Sequence, residues 1–230
     1  MEFRVDKRIF ERIPELQIGV LILENIDNTK NIDDFFKQEY GEITQAIMEK
    51  YGMMNLADEP RIAKWRKIYK SFGEKKARSS VEALIKRVKN GNELYRISPL
   101  VDLYNLASLK FELPCGSEDL SKMPSDLELT FATGEEEFIL LGQTEMEHPN
   151  EEEIVYKSGN MIVCRNFNYR ESDKTKIDSA TKKAIFIFED IDNGNLEGAL
   201  TFVSNSVKHL LEANVVKKEI ITNEKTNLDW

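Results

Sequence analysis

The chain has 230 residues, a hydrophobic content of 41% and a net charge of −9, which is typical of an ordinary globular protein. Its two cysteines are too few for a disulfide scaffold and form no cluster with its two histidines, and no apolar run approaches the ~18–20 residues that a membrane span needs. The N-terminal sequence lacks the layout of a secretory signal, so we expect a cytoplasmic protein with no metal, no cofactor and no membrane partner.

The first half of the chain predicts mostly helices. A branched apolar run at residues 17–23 is typical of a buried strand. Apolar spacing then predicts helices over residues 32–50, 61–72, 79–90 and 99–111. Ser79 lies three residues before Glu82, which is a capping-box pattern. Ser98 before Pro99 supplies an N-cap and a proline in the first turn.

The second half predicts mostly strands. Period-two runs predict strands over residues 127–131, 138–141, 154–156 and 161–164, with a further strand over 184–188. A helix over 196–213 and a short strand over 215–221 follow. Because no linker or repeat divides the chain, we expect a single α+β domain over residues 1–230.

Positive charge is concentrated in one segment. Residues 61–96 hold 12 lysines and arginines against three glutamates, a local net charge of +9, whereas the remaining residues total −18. Three acids cannot pair twelve bases, so the segment favours an anionic partner, although lysines also commonly do no more than solvate helix faces. The cations expected to contact nucleic acid are Lys67, Lys70, Lys75, Lys76, Arg78 and Lys86.

The predicted helix over 99–111 carries one polar stripe on an otherwise apolar surface. Asp102, Asn105 and Ser108 recur every three residues, so they lie within an arc of about 120°. Buried without partners, such groups would each cost about 1–3 kcal/mol. The stripe therefore either bonds to backbone in the core or lines a polar pocket.

A second polar cluster follows the strand at residues 161–164. Strand alternation over Cys164–Glu171 would place Arg165 on one face and the two asparagines, Asn166 and Asn168, on the other. Amides and guanidinium groups at a strand end can bind a carbonyl or phosphate oxygen, and a solvated strand exit has the same pattern.

These segments together resemble the free-standing B3/B4 domain proteins, which are relatives of the tRNA-editing module of the phenylalanyl-tRNA synthetase β subunit. The resemblance covers roughly residues 15–215. The motifs that carry it are Trp65–Gly73, Arg78–Leu84, Pro99–Leu106, Leu113–Leu120, Cys164–Asn168 and Thr175–Glu189.

The resemblance implies a three-layer fold that contains a β-sandwich of unusual topology with flanking helices. It also implies a pocket in which the synthetase module hydrolyses tyrosine wrongly esterified to the tRNA for phenylalanine. Asn105 matches the family's pocket asparagine, and Tyr104 replaces the threonine that precedes it. Gly116 stands where the family has a pocket histidine, and Glu171 is the candidate for an editing-site glutamate.

The first hypothesis is a trans-editing factor whose partner is tRNA or aminoacyl-tRNA, with no aminoacyl-tRNA ligase activity. An ester is already activated, so a positioned water and a polarised carbonyl can suffice for hydrolysis. The expected catalytic residues are Asn105, Asn166, Asn168, Arg165 and Glu171, and the expected pocket-lining residues are Asp102, Tyr104, Ser108, Gly116, Asp119 and Cys164. Asn105, Asn166 and Asn168 would orient substrate or water, and Arg165 would stabilise developing negative charge.

Two alternatives remain open on the sequence. The absence of a histidine at Gly116 favours a non-catalytic module that binds RNA, an amino acid or a protein. A small-molecule enzyme that uses the same pocket without RNA is the third reading, and it predicts binding that is insensitive to salt.

Overall fold

Two stacked sheets form the centre of the fold in the computed structural model, which describes residues 1–192 and 194–230. The strands of the described chain are β1 (Glu2–Val5), β2 (Gln17–Glu24), β3 (Cys115–Asp119), β4 (Leu127–Phe131), β5 (Ile154–Ser158), β6 (Met161–Arg165), β7 (Arg170–Glu171), β8 (Ala184–Asp190), β9 (Asn214–Ile221) and β10 (Asn227–Asp229). One sheet has the order β10-β1-β4-β5-β6-β7 and the other the order β3-β8-β2-β9. Only the β1–β4 pair is parallel among the pairs of these strands.

The helices of the described chain are α1 (Lys7–Arg12), α2 (Asp33–Tyr51), α3 (Pro60–Ser71), α4 (Ser80–Lys89), α5 (Pro99–Phe111) and α6 (Leu196–Leu210). Helices α2, α4, α5 and α6 lie on the outer side of the four-stranded sheet, whereas α1 and α3 add side chains to the core between the sheets. α5 and α6 pack directly on the sheet, where Gly19 of β2 allows close approach because a Cβ there would lie 3.1 Å from Leu196. α2 and α4 pack on α5 through a separate apolar cluster.

The sequence of β8 is apolar without alternation because both faces of the strand are buried. Ile185 and Ile187 pack between the two sheets, and Phe186 and Phe188 pack under the helices. A strand buried on both faces reads as a continuous apolar run. Sheet, sheet and helices thus form three layers, and the predicted α+β class is confirmed.

The structure corrects three details of the predicted elements. Residues 138–141 form isolated bridges, such as Phe138 to Glu147 and Leu140 to Ser172, and do not form the predicted strand. The last helix ends at Leu210, earlier than expected, because the chain turns there into β9. The sequence patterns also missed β1, α1, β3, β7 and β10, which are all six residues long or shorter.

Across the described ranges, none of the helices is both long enough and apolar enough to cross a bilayer.

Candidate functional site

A cleft of about 380 Å³ opens where three elements meet. The first turn of α4 contributes one wall, the α5 residues Tyr104 and Asn105 a second, and the β6–β7 turn with β7 a third. Asn105 is half-buried and lines the cleft, and so do Asn168 and Glu171. Of the α5 stripe, Asn105 is thus the member that reaches this cleft.

A second, much smaller space of about 20 Å³ adjoins the cleft in the layer between the sheets. This inner cavity is lined by Gly116, Glu118, Tyr156, Val163, Cys164, Asn168, Glu171, Ile187 and Glu189. Asn168 and Glu171 line both spaces and therefore form the boundary between them. The cleft and the inner cavity together make one candidate site.

The β6–β7 turn places Asn168 at this boundary. Asn166 and Phe167 both have left-handed backbones, with φ of 52° and 57°. This conformation is unfavourable for phenylalanine, but the Phe167 ring is 1% exposed and packs edge-on against Trp65 at 5.7 Å between ring centroids. Burial of the ring therefore offsets the free-energy cost of the strained turn. The strand alternation predicted for residues 164–171 ends at Arg165.

Asn168 connects three elements. Its Oδ1 accepts a hydrogen bond from the Ser80 backbone nitrogen of α4 at 3.1 Å, and its Nδ2 donates to Glu189 of β8. The Ser80 hydroxyl in turn accepts from the Cys115 nitrogen of β3 at 3.2 Å. The first turn of α4 is therefore fixed against both sheets.

Glu189 is a buried carboxyl with two donors. Tyr156 Oη donates to Glu189 Oε1 at 2.6 Å, opposite the bond from Asn168. Burial raises the pKa of Glu189 to about 8, and the Tyr156 bond opposes that rise. Glu189 is thus largely neutral at pH 7 and holds the surrounding side chains in place.

Glu118 and Glu171 face the inner cavity near each other. Burial raises the pKa of Glu171 to about 7, and burial together with the neighbouring Glu171 charge raises the pKa of Glu118 well above its ordinary value. A carboxyl with a pKa near 7 can accept or release a proton at neutral pH.

The thiols that line the site are poor nucleophiles. Burial raises the pKa of Cys115 and Cys164 well above the ordinary value. Because the thiolate is the reactive form, these cysteines act as apolar lining.

Gly116 leaves space beside Glu171. A Cβ built on Gly116 would meet only Glu171 Oε1, at 3.7 Å, which is an ordinary contact. The backbone therefore does not require glycine at this position, and its effect is to leave the inner cavity wider next to a carboxyl group.

Arg165 and Asn166 do not reach the cleft, which corrects the expectation that they act beside Asn105. Arg165 forms a two-pronged ion pair with the buried Glu153, with both N–O distances 2.6 Å, and Asn166 donates to the same carboxylate at 3.2 Å. Both side chains bond to the buried Glu153 carboxylate, on the side of β6 that faces the loop before β5.

Three expected pocket residues also lie elsewhere. Asp102 pairs with Arg96 at 2.6 Å beside a different open cleft of about 690 Å³. Ser108 donates to the Leu113 carbonyl in the core, and Asp119 accepts hydrogen bonds from Ser121 and Thr181. For Ser108 the alternative of bonding to backbone in the core is therefore the right one, whereas Asp102 accepts from Arg96 and from the Ile97 nitrogen while it lines that other cleft.

The expected phosphate-binding cations lie on three consecutive elements, the last of which borders the cleft, and the five lysines among them are exposed; we call the set the cationic surface. This cationic surface consists of Lys67 and Lys70 on α3, Lys75, Lys76 and Arg78 in the following loop, and Lys86 on α4. Within the described ranges, the five lysines join no ion pair, whereas Arg78 contacts Glu82 at 3.4 Å and also lines the cleft. Arg78 thus links the cationic surface to the cleft.

Sequence reasoning missed Glu118, Tyr156 and Glu189. Glu189 had a signal, because a glutamate inside a continuous apolar strand must find buried partners. Glu118 and Tyr156 lie on strands of different sheets, and only the stacking of those sheets brings them to one cavity.

The B3/4 domain model matches residues 64–201, a range that contains every residue of the cleft and the inner cavity. Among solved structures, the fold is similar to an N-terminal fragment of the phenylalanyl-tRNA synthetase β subunit from Pyrococcus horikoshii, at 12% identity with a TM-score of 0.47. The likeness covers 95% of this chain and 49% of that chain, so this chain spans about half the length of that fragment. No curated protein matches this sequence.

Proposed function

The chain belongs to the B3/4 domain family, and from that membership we propose that it binds the aminoacyl end of a tRNA and hydrolyses a wrongly attached amino acid. The cationic surface holds phosphates, and the cleft receives the terminal adenosine with its ester. The observation that carries this proposal is that Arg78 belongs to the cationic surface and also lines the cleft. A phosphate backbone bound at the cationic surface would therefore place the end of the tRNA in the cleft that Asn105 lines.

The first turn of α4 suits an ester at this place. Its backbone nitrogens point towards the N-terminal end of the helix, where the helix dipole favours negative charge. Asn105 polarises the ester carbonyl through its side-chain amide, and the α4 dipole favours the negative charge that the carbonyl gains when water attacks. Asn168 holds the turn in position through the Ser80 nitrogen.

Glu171 accepts the proton of the attacking water. The water oxygen bonds to the carbonyl carbon, the bond to the ribose oxygen breaks, and the ribose hydroxyl leaves with a proton returned by Glu171. The products are a free amino acid and an uncharged tRNA. The pKa of about 7 supports both halves of this transfer.

The test is release of labelled amino acid from a panel of misacylated tRNAs. We expect release from at least one ester, reduced by ~100-fold or more in Asn105→Ala because polarisation of the carbonyl is lost. Asn227→Ala, on the distant strand β10, is the matched control and keeps the full rate. Equal rates in both variants would contradict the role of Asn105.

A non-catalytic binding module is the second candidate, favoured by the missing side chain at Gly116. It predicts unchanged esters across the whole panel together with retention of the RNA in gel shifts.

A further inference from the structure

An exposed tyrosine ring lines the cleft at the end of the strained β6–β7 turn. Tyr169 is 39% exposed and is one of the residues that form the cleft wall. Continued strand alternation would have placed it on the same face as Phe167, whose ring is buried in the core. The two left-handed residues of the turn instead bring Tyr169 to the cleft, where part of its ring is open to a ligand.

The Tyr169 ring is supported on its inner side. The buried Tyr69 of α3 packs against it, with 6.5 Å between ring centroids and an interplanar angle of 52°. Tyr69 in turn packs against Trp65 and Phe167. Because this packing restricts the Tyr169 ring, a ligand that stacks on its exposed part loses little side-chain entropy.

A second tyrosine lines the cleft but offers less of its ring. Tyr104 packs edge-on against Phe186 at 6.0 Å between centroids, and burial raises the pKa of its hydroxyl well above the ordinary value. The exposed Leu141 also lines the cleft, and its nitrogen donates to the Glu171 carbonyl at 2.9 Å. The exposed apolar surface beside β7 is therefore an aromatic ring with an aliphatic neighbour.

Charge and closure restrict what can occupy this surface. Arg78 of the cationic surface lines the same cleft, and a cationic groove with an aromatic platform is the arrangement that binds single-stranded nucleic acid. Behind Asn168 and Glu171 the inner cavity of about 20 Å³ has room for about one water, so a strand cannot pass through. The cleft thus suits the last nucleotide of a strand.

We propose that Tyr169 is the stacking platform for the 3′-terminal base of the tRNA. The base lies on the Tyr169 ring, Arg78 contacts the phosphate backbone, and the ribose with its ester lies towards Asn105. This inference rests on the proposed function, because it assigns one contact of the nucleotide that the cleft receives. Tyr169 is then a substrate-binding residue that fixes where the ester carbonyl lies.

The test uses an uncharged tRNA with 2-aminopurine in place of the terminal adenine, because stacking on an aromatic ring quenches the fluorescence of this base. We expect quenching in wild type and in Tyr169→Phe, which keeps the ring. In Tyr169→Ala the quenching is lost and Kd rises by ~10-fold or more. Tyr95→Ala removes an exposed tyrosine outside the cleft and is the matched control, so it keeps both wild-type values.

A shortened tRNA tests the same contact without changing the protein. We expect wild type to bind a tRNA that lacks the terminal adenosine ~10-fold or more weakly than the whole tRNA. Tyr169→Ala should bind the two tRNAs with nearly equal Kd values, and circular dichroism verifies that each variant is folded.

These measurements separate the inference from the proposed reaction. Equal quenching in wild type and Tyr169→Ala, or loss of quenching in Tyr95→Ala as well, overturns the inference, and so do equal Kd values for the two tRNAs in wild type. Release of amino acid from a misacylated tRNA would then leave the proposed function standing. Quenching that depends on Tyr169 without release from any ester supports the inference and overturns the reaction. A protein that binds neither tRNA overturns both.

Discussion

At the residue scale, the hydrogen bonds of Asn168 and Glu189 determine the shape of the site. One amide holds the α4 turn and a buried carboxyl, and Tyr156 holds the other oxygen of that carboxyl. Removing one member leaves a buried polar group short of a partner, which costs more than the hydrogen bond itself contributes.

Tyr156→Phe tests this network. We expect the free energy of unfolding in urea at pH 7 to fall by about 1–2 kcal/mol, because Glu189 loses a donor in a buried place. The pKa of Glu189 should rise further above about 8, since the lost bond opposes the effect of burial. Tyr95→Phe is the control, because its side chain is 69% exposed. Equal losses in the two variants would be inconsistent with a buried network.

Glu171 gives the fold a pH dependence. Its pKa is about 7 in the folded chain against an ordinary 4.5, so its contribution to stability is present in full below the ordinary value and is lost as the pH rises towards 7. Glu171→Gln removes this loss. We expect the variant to match wild type in free energy of unfolding at pH 5 and to exceed it by about 1–2 kcal/mol at pH 8. Parallel pH profiles would contradict the assigned shift.

The polar spacing on α5 was enough to predict that Asn105 leaves the apolar surface, but not which stripe members would share its cleft. Asp102 and Asn105 are neighbours on one helix face, yet each lines a different cleft. That separation depends on what packs against each end of α5, and helical periodicity contains no such information.

At the element scale, the turn between β6 and β7 separates the polar residues that bond to Glu153 from those that line the cleft. Arg165 and Asn166 stay on the side of Glu153, whereas the two left-handed residues direct Asn168 to the other side. The alternation rule applies only while the chain stays extended, so the sequence pattern placed these side chains wrongly.

Arg165→Met distinguishes the structural role from the catalytic one. Glu153 would be left buried and without its guanidinium partner, so we expect a loss of about 2–4 kcal/mol in the free energy of unfolding. Arg4→Met, which breaks a half-exposed pair with Glu128, should cost under ~1 kcal/mol. If Arg165→Met were as stable as wild type but no longer hydrolysed the ester, Arg165 would belong to the catalytic residues.

Long periodic helices were predicted well, and short strands were not. The Ser79 cap is confirmed, since its hydroxyl accepts from the Glu82 nitrogen at 3.4 Å. Strands β1, β3 and β10 have three to five residues each, and their pairing partners lie far away in sequence. Such strands depend on the assembled sheet more than on local pattern.

At the scale of the whole molecule, charge is segregated. A chain of net charge −9 presents an exposed cationic surface beside one cleft. An anionic polymer is thus attracted at one place and repelled over much of the remaining surface.

The double variant Lys75→Glu with Lys86→Glu tests this segregation. We expect the Kd for tRNA to rise by ~10-fold or more and the slope of log K against log salt to become shallower by about 2. Lys208→Glu with Lys217→Glu makes the same change of charge on other exposed positions and should have a much smaller effect. Equal effects would mean that net charge, and not this surface, governs binding.

Photocrosslinking with a tRNA that carries a photoreactive 3′-terminal adenosine tests whether the cleft receives the aminoacyl end. Mass spectrometry then maps the crosslinked residues. We expect them in residues 78–84, 104–105, 140–141 and 168–171, which line the cleft. Crosslinks confined to the larger open cleft around Asn28 and Arg96, or no crosslinks while the tRNA stays bound, would contradict the account.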